Sequence, residues 1–162
     1  MEATKTTSAV STWQIDDAHS NIKFIARHMV ISKVTGHFED FEAKLKKSGD
    51  DWQHAEIEFK AKIDSINTGK ADRDAHLKSD DFFNAAQFPF LSFKSNSVEK
   101  TGEETYEIKG DLTIRDVTKP IVLQAEYGGT ITDPYGNERA GFHIRGKVNR
   151  FDYGLKWNAL LE

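Results

Sequence analysis

A two-residue repeat of polarity constrains this chain more than any other feature. Ile57, Phe59, Ala61 and Ile63 alternate with Glu56, Glu58, Lys60 and Lys62, so an extended backbone puts the apolar side chains on one face and the charges on the other. The alternation returns at Ile108, Gly110, Leu112 and Ile114, opposed by Glu107, Lys109, Asp111 and Thr113. It continues at Ile121, Leu123, Ala125 and Tyr127, and then at Ala140, Phe142, Ile144, Gly146 and Val148. Such faces belong to antiparallel sheets with one buried and one wet side. Polar, Gly-bearing segments separate them at Lys47–Asp51, Lys100–Glu103 and Asp133–Asn137, where hairpins reverse.

Two further strands precede these. Ile22, Phe24, Ala26 and His28 share one parity, while Phe38 and Phe41 within Val34–Lys47 are spaced oddly enough to predict a bulge near Glu39-Asp40. Alternation fails from Thr68 to Ala86, and a short helical segment near residues 70–86 fits better there. Residues 1–10 read as a loose terminus, and nothing in 1–162 marks a second domain. At least six strands in a meander predict an all-β fold, a barrel or strongly curved sheet, since closure removes exposed edges. A barrel of long strands leaves room for an apolar ligand. A solid barrel with no cavity is the alternative.

Composition narrows the functions. The net charge is −4, which argues against a phosphate-backbone binder and so against nucleic acid. Cys is absent, removing disulfides and thiolate chemistry. No apolar run approaches the roughly 20 residues of a membrane span, and the start lacks a signal-peptide core. The sequence as given therefore predicts a cytoplasmic protein, or a periplasmic one if a signal has been removed.

Catalytic and metal motifs are thin. His19, His28 and His37 are spaced by odd intervals that put strand neighbours on opposite faces, so no metal site is expected. There is no Gly-x-Ser-x-Gly elbow and no phosphate-binding glycine loop. Asp80-Asp81 reads as a solvated helix end. The cluster from Asp74 to Phe83, followed by Phe88-Pro89-Phe90 and Phe93, suits either a lid over a cavity or a plug in the core.

Several strings in order resemble the YceI-like family, a lipocalin-like group of polyisoprenoid-binding proteins. They are Trp13-x-Ile15-Asp16-x-x-His19-Ser20; Val34-x-Gly36-x-Phe38-x-x-Phe41; and Arg73-Asp74-x-His76-Leu77 through Phe82-Phe83 and Phe88-Pro89. Further along come Gly110-x-Leu112-Thr-Ile114-Arg-x-Val117-Thr-Lys119-Pro120 and Arg150-x-Asp152-x-Gly154-Leu155-x-Trp157-Asn158. The resemblance implies an extended antiparallel barrel whose apolar channel holds the tail of an isoprenoid quinone or polyprenyl phosphate. It implies no catalysis and no cofactor beyond that lipid. Carried over by position, Phe24, Phe38, Leu77, Phe82, Phe83, Phe93, Leu112 and Trp157 would form the apolar wall or lid, with His28 and His76 as polar contacts.

Family members usually continue through a further strand, whereas this sequence stops at Glu162. If that strand is truly missing, a sheet edge is left unpaired, paired with another subunit or closed differently; a sequence that is a shortened form of a longer one explains the difference equally well. A homodimer is expected from the resemblance and from the commonness of such dimers. Transport, storage and stress protection are all compatible roles. Two other readings stand beside the lipid carrier: a His/Asp hydrolase or isomerase built on His28 or His76, and a ligand-free barrel acting through a protein partner.

Overall fold

The computed structural model describes residues 10–28, 32–49 and 51–155, and the side chains of all these except 27, 28 and 32. The strands are β1 (Val10–Gln14), β2 (Ile22–His28), β3 (Ser32–Phe38), β4 (Phe41–Ser48), β5 (Glu56–Lys62) and β6 (Ile66–Asn67). After helix α1 (Ala71–Lys78) follow β7 (Phe90–Lys100), β8 (Thr105–Ile114), β9 (Val117–Thr132) and β10 (Glu138–Gly146). A 7-stranded antiparallel sheet runs in the order β1-β4-β5-β7-β8-β9-β10, and a 3-stranded sheet in the order β2-β3-β6.

The two sheets share one long ribbon. β1 pairs with β4 from Val10↔Ser48 to Gln14↔Lys44, and β2 pairs with β3 from Ile22↔Phe38 to His28↔Ser32. The irregular spacing around Phe38 and Phe41 is a full break between β3 and β4 at Glu39-Asp40, a sharper feature than the bulge the sequence predicts. The break has its own partners: the Lys62 amide donates to the Asp40 carbonyl at 2.9 Å, and the Glu39 amide to the Ser65 carbonyl at 3.1 Å. The corner between the sheets is thus held by the chain leaving β5.

Alternation predicts burial well in the middle of the large sheet. Along β8, Tyr106, Ile108, Gly110, Leu112 and Ile114 are buried and the alternate residues between them are half-buried or exposed. Gly110 keeps the burial but carries no side chain, for a packing reason. A Cβ there would lie 2.4 Å from the Lys94 carbonyl oxygen and 2.5 Å from Phe93 Cζ, so the position admits no side chain without backbone movement. Register shifts between Ser95 and Ser97 and between Gly141 and Phe142 add local twist and bend the sheet.

The helical segment is shorter than its polarity suggests: α1 covers Ala71–Lys78, and turns run on to Phe88. Asp72 and Asp74 occupy its first turn and His76 and Lys78 its last, the order the helix dipole favours. Asp74 Oδ1 accepts from the Thr68 amide at 2.9 Å and its hydroxyl at 2.5 Å, while Arg73 donates to the Thr68 hydroxyl and carbonyl. No residue of α1 is fully buried; the segment's apolar anchors are Phe82 and Ala85 beyond it.

The large sheet curls into a half-barrel without closing. Among the described residues β1 and β10, its outer strands, are not hydrogen-bonded to each other, and β2 is paired with β3 alone. Among the described residues, then, the wall has a gap on the side where these edges lie.

Candidate ligand-binding cleft

Inward-facing side chains of a curled sheet must either meet or enclose space. Here they enclose a cleft of about 2950 Å³, open to solvent along one side and lined mainly by apolar groups from both sheets. Its floor includes Leu45 of β4, Ile57 and Phe59 of β5, Leu112 and Ile114 of β8, and Ile121 and Leu123 of β9. Among the described residues the inward side chains therefore do not interlock across the curled sheet.

One end is sealed by aromatic rings. Trp52, in the β4–β5 loop, packs edge-on against Trp13 of β1 at 5.1 Å and Phe142 of β10 at 4.8 Å, and lies 5.9 Å from Tyr127 of β9. It therefore bridges the sheet's two outer strands by side-chain packing where no backbone ladder joins them. The Lys47 ammonium sits 4.3 Å from the Trp52 ring centre, a cation–π contact that covers the cluster. Trp13 donates its indole N–H to the Ser11 hydroxyl at 3.0 Å, so its one polar group is satisfied.

A charged clamp makes a second bridge. Arg139, near the start of β10, donates from Nε to Asp133 Oδ2 at 2.8 Å and from its terminal nitrogen to Asp16, which follows β1. Asp133 Oδ1 also accepts the Tyr135 and Asn137 amides at 2.9 Å each, building the β9–β10 turn. The Arg139 bond and these amides hold the Asp133 carboxyl down to about 2. The Asp16 carboxyl is lowered too, first by its hydrogen bond with His19 and then by the nearby positive charges of His19 and Arg139.

At the other aromatic cluster the rings border empty space. Phe24 of β2 lies across from Gly36 of β3, where a Cβ would sit 2.4 Å from Phe24 Cζ. The absent side chain is what lets the ring lie over the strand. Phe24 meets Phe38 at 5.7 Å, and Phe38 meets Phe83 at 6.4 Å, so the small sheet and the turn after α1 meet through aromatic contacts. Arg115, in the β8–β9 turn, donates to the carbonyls of Asp80 and Phe82 and pairs with Asp80 at 3.2 Å. The Phe82-Phe83 turn is pinned to the sheet as well as packed on it.

The sequence-derived site residues distribute as follows. Phe24, Phe38, His76, Leu77, Phe82, Phe83 and Leu112 line the cleft. Phe93 is 2% exposed and stacks under Phe59 at 5.3 Å, one layer deeper in the wall. The His28 side chain and Trp157 lie outside the described residues. His76 Nε2 is 2.9 Å from Asp81 Oδ2, and its ring packs edge-on against Phe82 at 5.1 Å. The nearby Ser79 hydroxyl donates to the His76 carbonyl. Among the described residues no three His, Asp or Glu side chains converge as metal ligands.

Sequence reasoning missed Trp52 and the Asp16–Arg139–Asp133 clamp. The signal for Trp52 was a large apolar ring inside the polar loop Asp50-Asp51-Trp52-Gln53-His54; nothing local announced the clamp.

Comparison with known proteins bears on this geometry. Residues 13–162 match the YceI-like domain. The chain belongs to the YceI-like family. A UPF0312 protein of Photorhabdus laumondii is 38% identical over 142 residues, covering 88% of this chain and 73% of its own length. The crystal structure of the Campylobacter jejuni YceI protein superposes with a TM-score of 0.68 at 37% identity, over 86% of this chain and 81% of that one. A polyisoprenoid-binding domain from Saccharophagus degradans shares the fold, with a TM-score of 0.54 at 15% identity over 77% of each chain. The lipocalin-like, strongly curled β fold is therefore that of a known family.

Proposed function

We propose that this YceI-like protein binds an isoprenoid lipid, with the tail lying in the cleft, and carries or sequesters it without chemical change. The observation that carries the reading is the cleft itself. At about 2950 Å³ it is several times the 300–1,000 Å³ of an ordinary small-molecule site, and its floor is apolar from β4 to β9. A long flexible hydrocarbon suits such a space; a compact polar substrate does not. The polyisoprenoid-binding domain of Saccharophagus degradans, which has the same fold, supports the choice of isoprenoid over other long apolar ligands.

The tail alone can supply the affinity. About 40 carbons at roughly 0.3 kcal/mol per heavy atom amount to about 12 kcal/mol, a nanomolar dissociation constant. The head group, whether a quinone or a phosphate, then adjusts selectivity at the cleft's open side. The His76–Asp81 pair fits this assignment as a clasp between α1 and the turn carrying Phe82.

Extraction of gently purified protein followed by mass spectrometry tests the reading, with a co-purifying isoprenoid as the expected result. Repeatedly empty preparations that also fail to take up an isoprenoid quinone from detergent would overturn it.

A further inference from the structure

Among the described residues, three other than glycine have a left-handed backbone: His54 (φ 66°), Asn84 (φ 51°) and Arg115 (φ 57°). Asn reaches this region readily through its short polar side chain, whereas Arg has no such compensation. Arg115 is the first of the two residues, with Asp116, that join β8 to β9 where Ile114 pairs with Val117. Hairpin loops of that length favour Gly, Asn or Asp where φ is positive. A long cationic side chain therefore stands at a position the turn itself would give to a smaller residue, and the reason lies in what the side chain holds.

The Arg115 side chain is 21% exposed. Nη1 donates to the Asp80 carbonyl at 3.3 Å and the Phe82 carbonyl at 3.2 Å, and Nη2 pairs with the Asp80 carboxylate at 3.2 Å. The guanidinium carbon lies 5.8 Å from the centre of the Phe88 ring. All four contacts fall on residues 79–88, a segment whose backbone is knotted on itself. The amides of Phe82 and Asn84 donate to the Ser79 carbonyl, that of Phe83 to Leu77, that of Ala85 to Lys78 and that of Phe88 to Asn84. The Asn84 side chain adds a bond to Asp80 at 3.2 Å. A segment bonded within itself can open as one unit, because its internal bonds survive the movement. Its rings Phe82 and Phe83 line the same cleft as Leu112 and Ile114 of β8. Arg115, next to Ile114, thus joins the end of a floor strand to the segment that brings those rings to the cleft.

We propose that Arg115 is a positioning residue for the ligand: from a strained turn it latches segment 79–88 to the β8–β9 hairpin, and the latch sets how fast an apolar ligand enters and leaves. Gly at this position would relax the turn and release the segment. Opening speeds entry and exit together, so the latch governs rates more than affinity. This inference rests on the lipid-binding reading for the molecule that passes, and on the turn and the segment for the latch itself.

Amide hydrogen exchange of the full chain without ligand, compared between the parent and R115G, tests it. The expected result is about tenfold faster exchange from Phe82 to Phe88, the scale of one lost hydrogen bond to a charged donor, with the amides of β4 and β5 unchanged. The melting temperature should stay within about 3 °C, since relaxed strain offsets the lost bonds. R115K keeps a charge beside Asp80 but lacks the forked donors for both carbonyls, and should fall between the two. Uptake of an isoprenoid quinone from detergent micelles and its release should each speed up about tenfold in R115G, with the dissociation constant within about threefold. A purely structural turn residue would alter melting and leave these rates alone. Parental exchange from Phe82 to Phe88, faster exchange spread evenly over the sheet, or unchanged quinone rates would overturn the proposal. Should R115G fail to fold by circular dichroism, R115N, a substitution the left-handed region tolerates, is judged by the same criteria. A parent that takes up no quinone removes the lipid-binding reading, and hydrogen exchange still decides the latch; normal uptake with parental exchange in R115G removes only the latch.

Discussion

The two aromatic clusters of this half-barrel are built from the same kinds of ring and do opposite things. Around Trp52, side chains from β1, β9, β10 and the β4–β5 loop meet each other, and Trp13 and Trp52 are left 2% and 3% exposed. Around Phe83, rings from β2, β3 and the turn after α1 meet on one side and face the cleft on the other. The first cluster joins two edges that have no backbone ladder between them, so its rings must fill the gap completely. The second spans two sheets that the kinked β1–β4 ribbon already connects, so its rings are free to leave space. Closure makes an aromatic cluster structural, and an independent covalent connection behind it allows the cluster to border open space.

Truncation should separate the two most clearly. Trp52→Ala removes a buried ring on which Trp13, Tyr127 and Phe142 all lean. A loss of about 3–5 kcal/mol is expected, or roughly 10 °C in melting temperature for a chain of this size. A melting point within a degree or two of the parent would show that the sealed end is not structural.

Phe83→Ala should produce the reverse balance. The ring is half-buried, so the stability cost is smaller, about 1–2 kcal/mol, whereas retention of an isoprenoid quinone should fall about tenfold. Thermal melting and quinone uptake on the same sample make the comparison. A variant that melts early but binds normally would move Phe83 into the structural class.

The smallest effect belongs to the clamp beside the sealed end, and it depends on pH. The folded-state carboxyl of Asp133 is held near 2, below its ordinary 3.8. Its contribution to stability is therefore complete above the ordinary value and is lost as the pH falls through about 2. Asp133→Asn should flatten the melting temperature between about pH 4 and pH 2 relative to the parent, with little change in ligand uptake at neutral pH. An unaltered acid profile would remove the clamp from the account of closure.

How legible each region was follows from the range of its interactions. The strands were readable because alternation is a property of neighbours in the chain, and the break at Glu39-Asp40 showed as a slip of parity between Phe38 and Phe41. The cleft-lining rings Phe24, Phe38, Phe82 and Phe83 were legible through the family's strings, and Phe93 was not separable from them because a ring in the wall's second layer has the same sequence context as one at its surface. The β10 edge is the complementary case. Parity put Phe142, Ile144 and Val148 on one face and His143, Arg145 and Lys147 on the other, yet both sets line the cleft and all but Phe142 are exposed; parity carries no information on whether a side is covered.

By itself the sequence determined the β content, the turn positions, the short polar helix between β6 and β7, and membership in the YceI-like family, since each is encoded in residues close together or in ordered strings. Only the tertiary structure decided which rings seal and which line, that Arg139 reaches both Asp16 and Asp133, and that the described strands curl into a half-barrel. Those outcomes depend on how far the sheet curls. Curl sums small twists and bulges over every strand, so it is set by no single stretch of the chain.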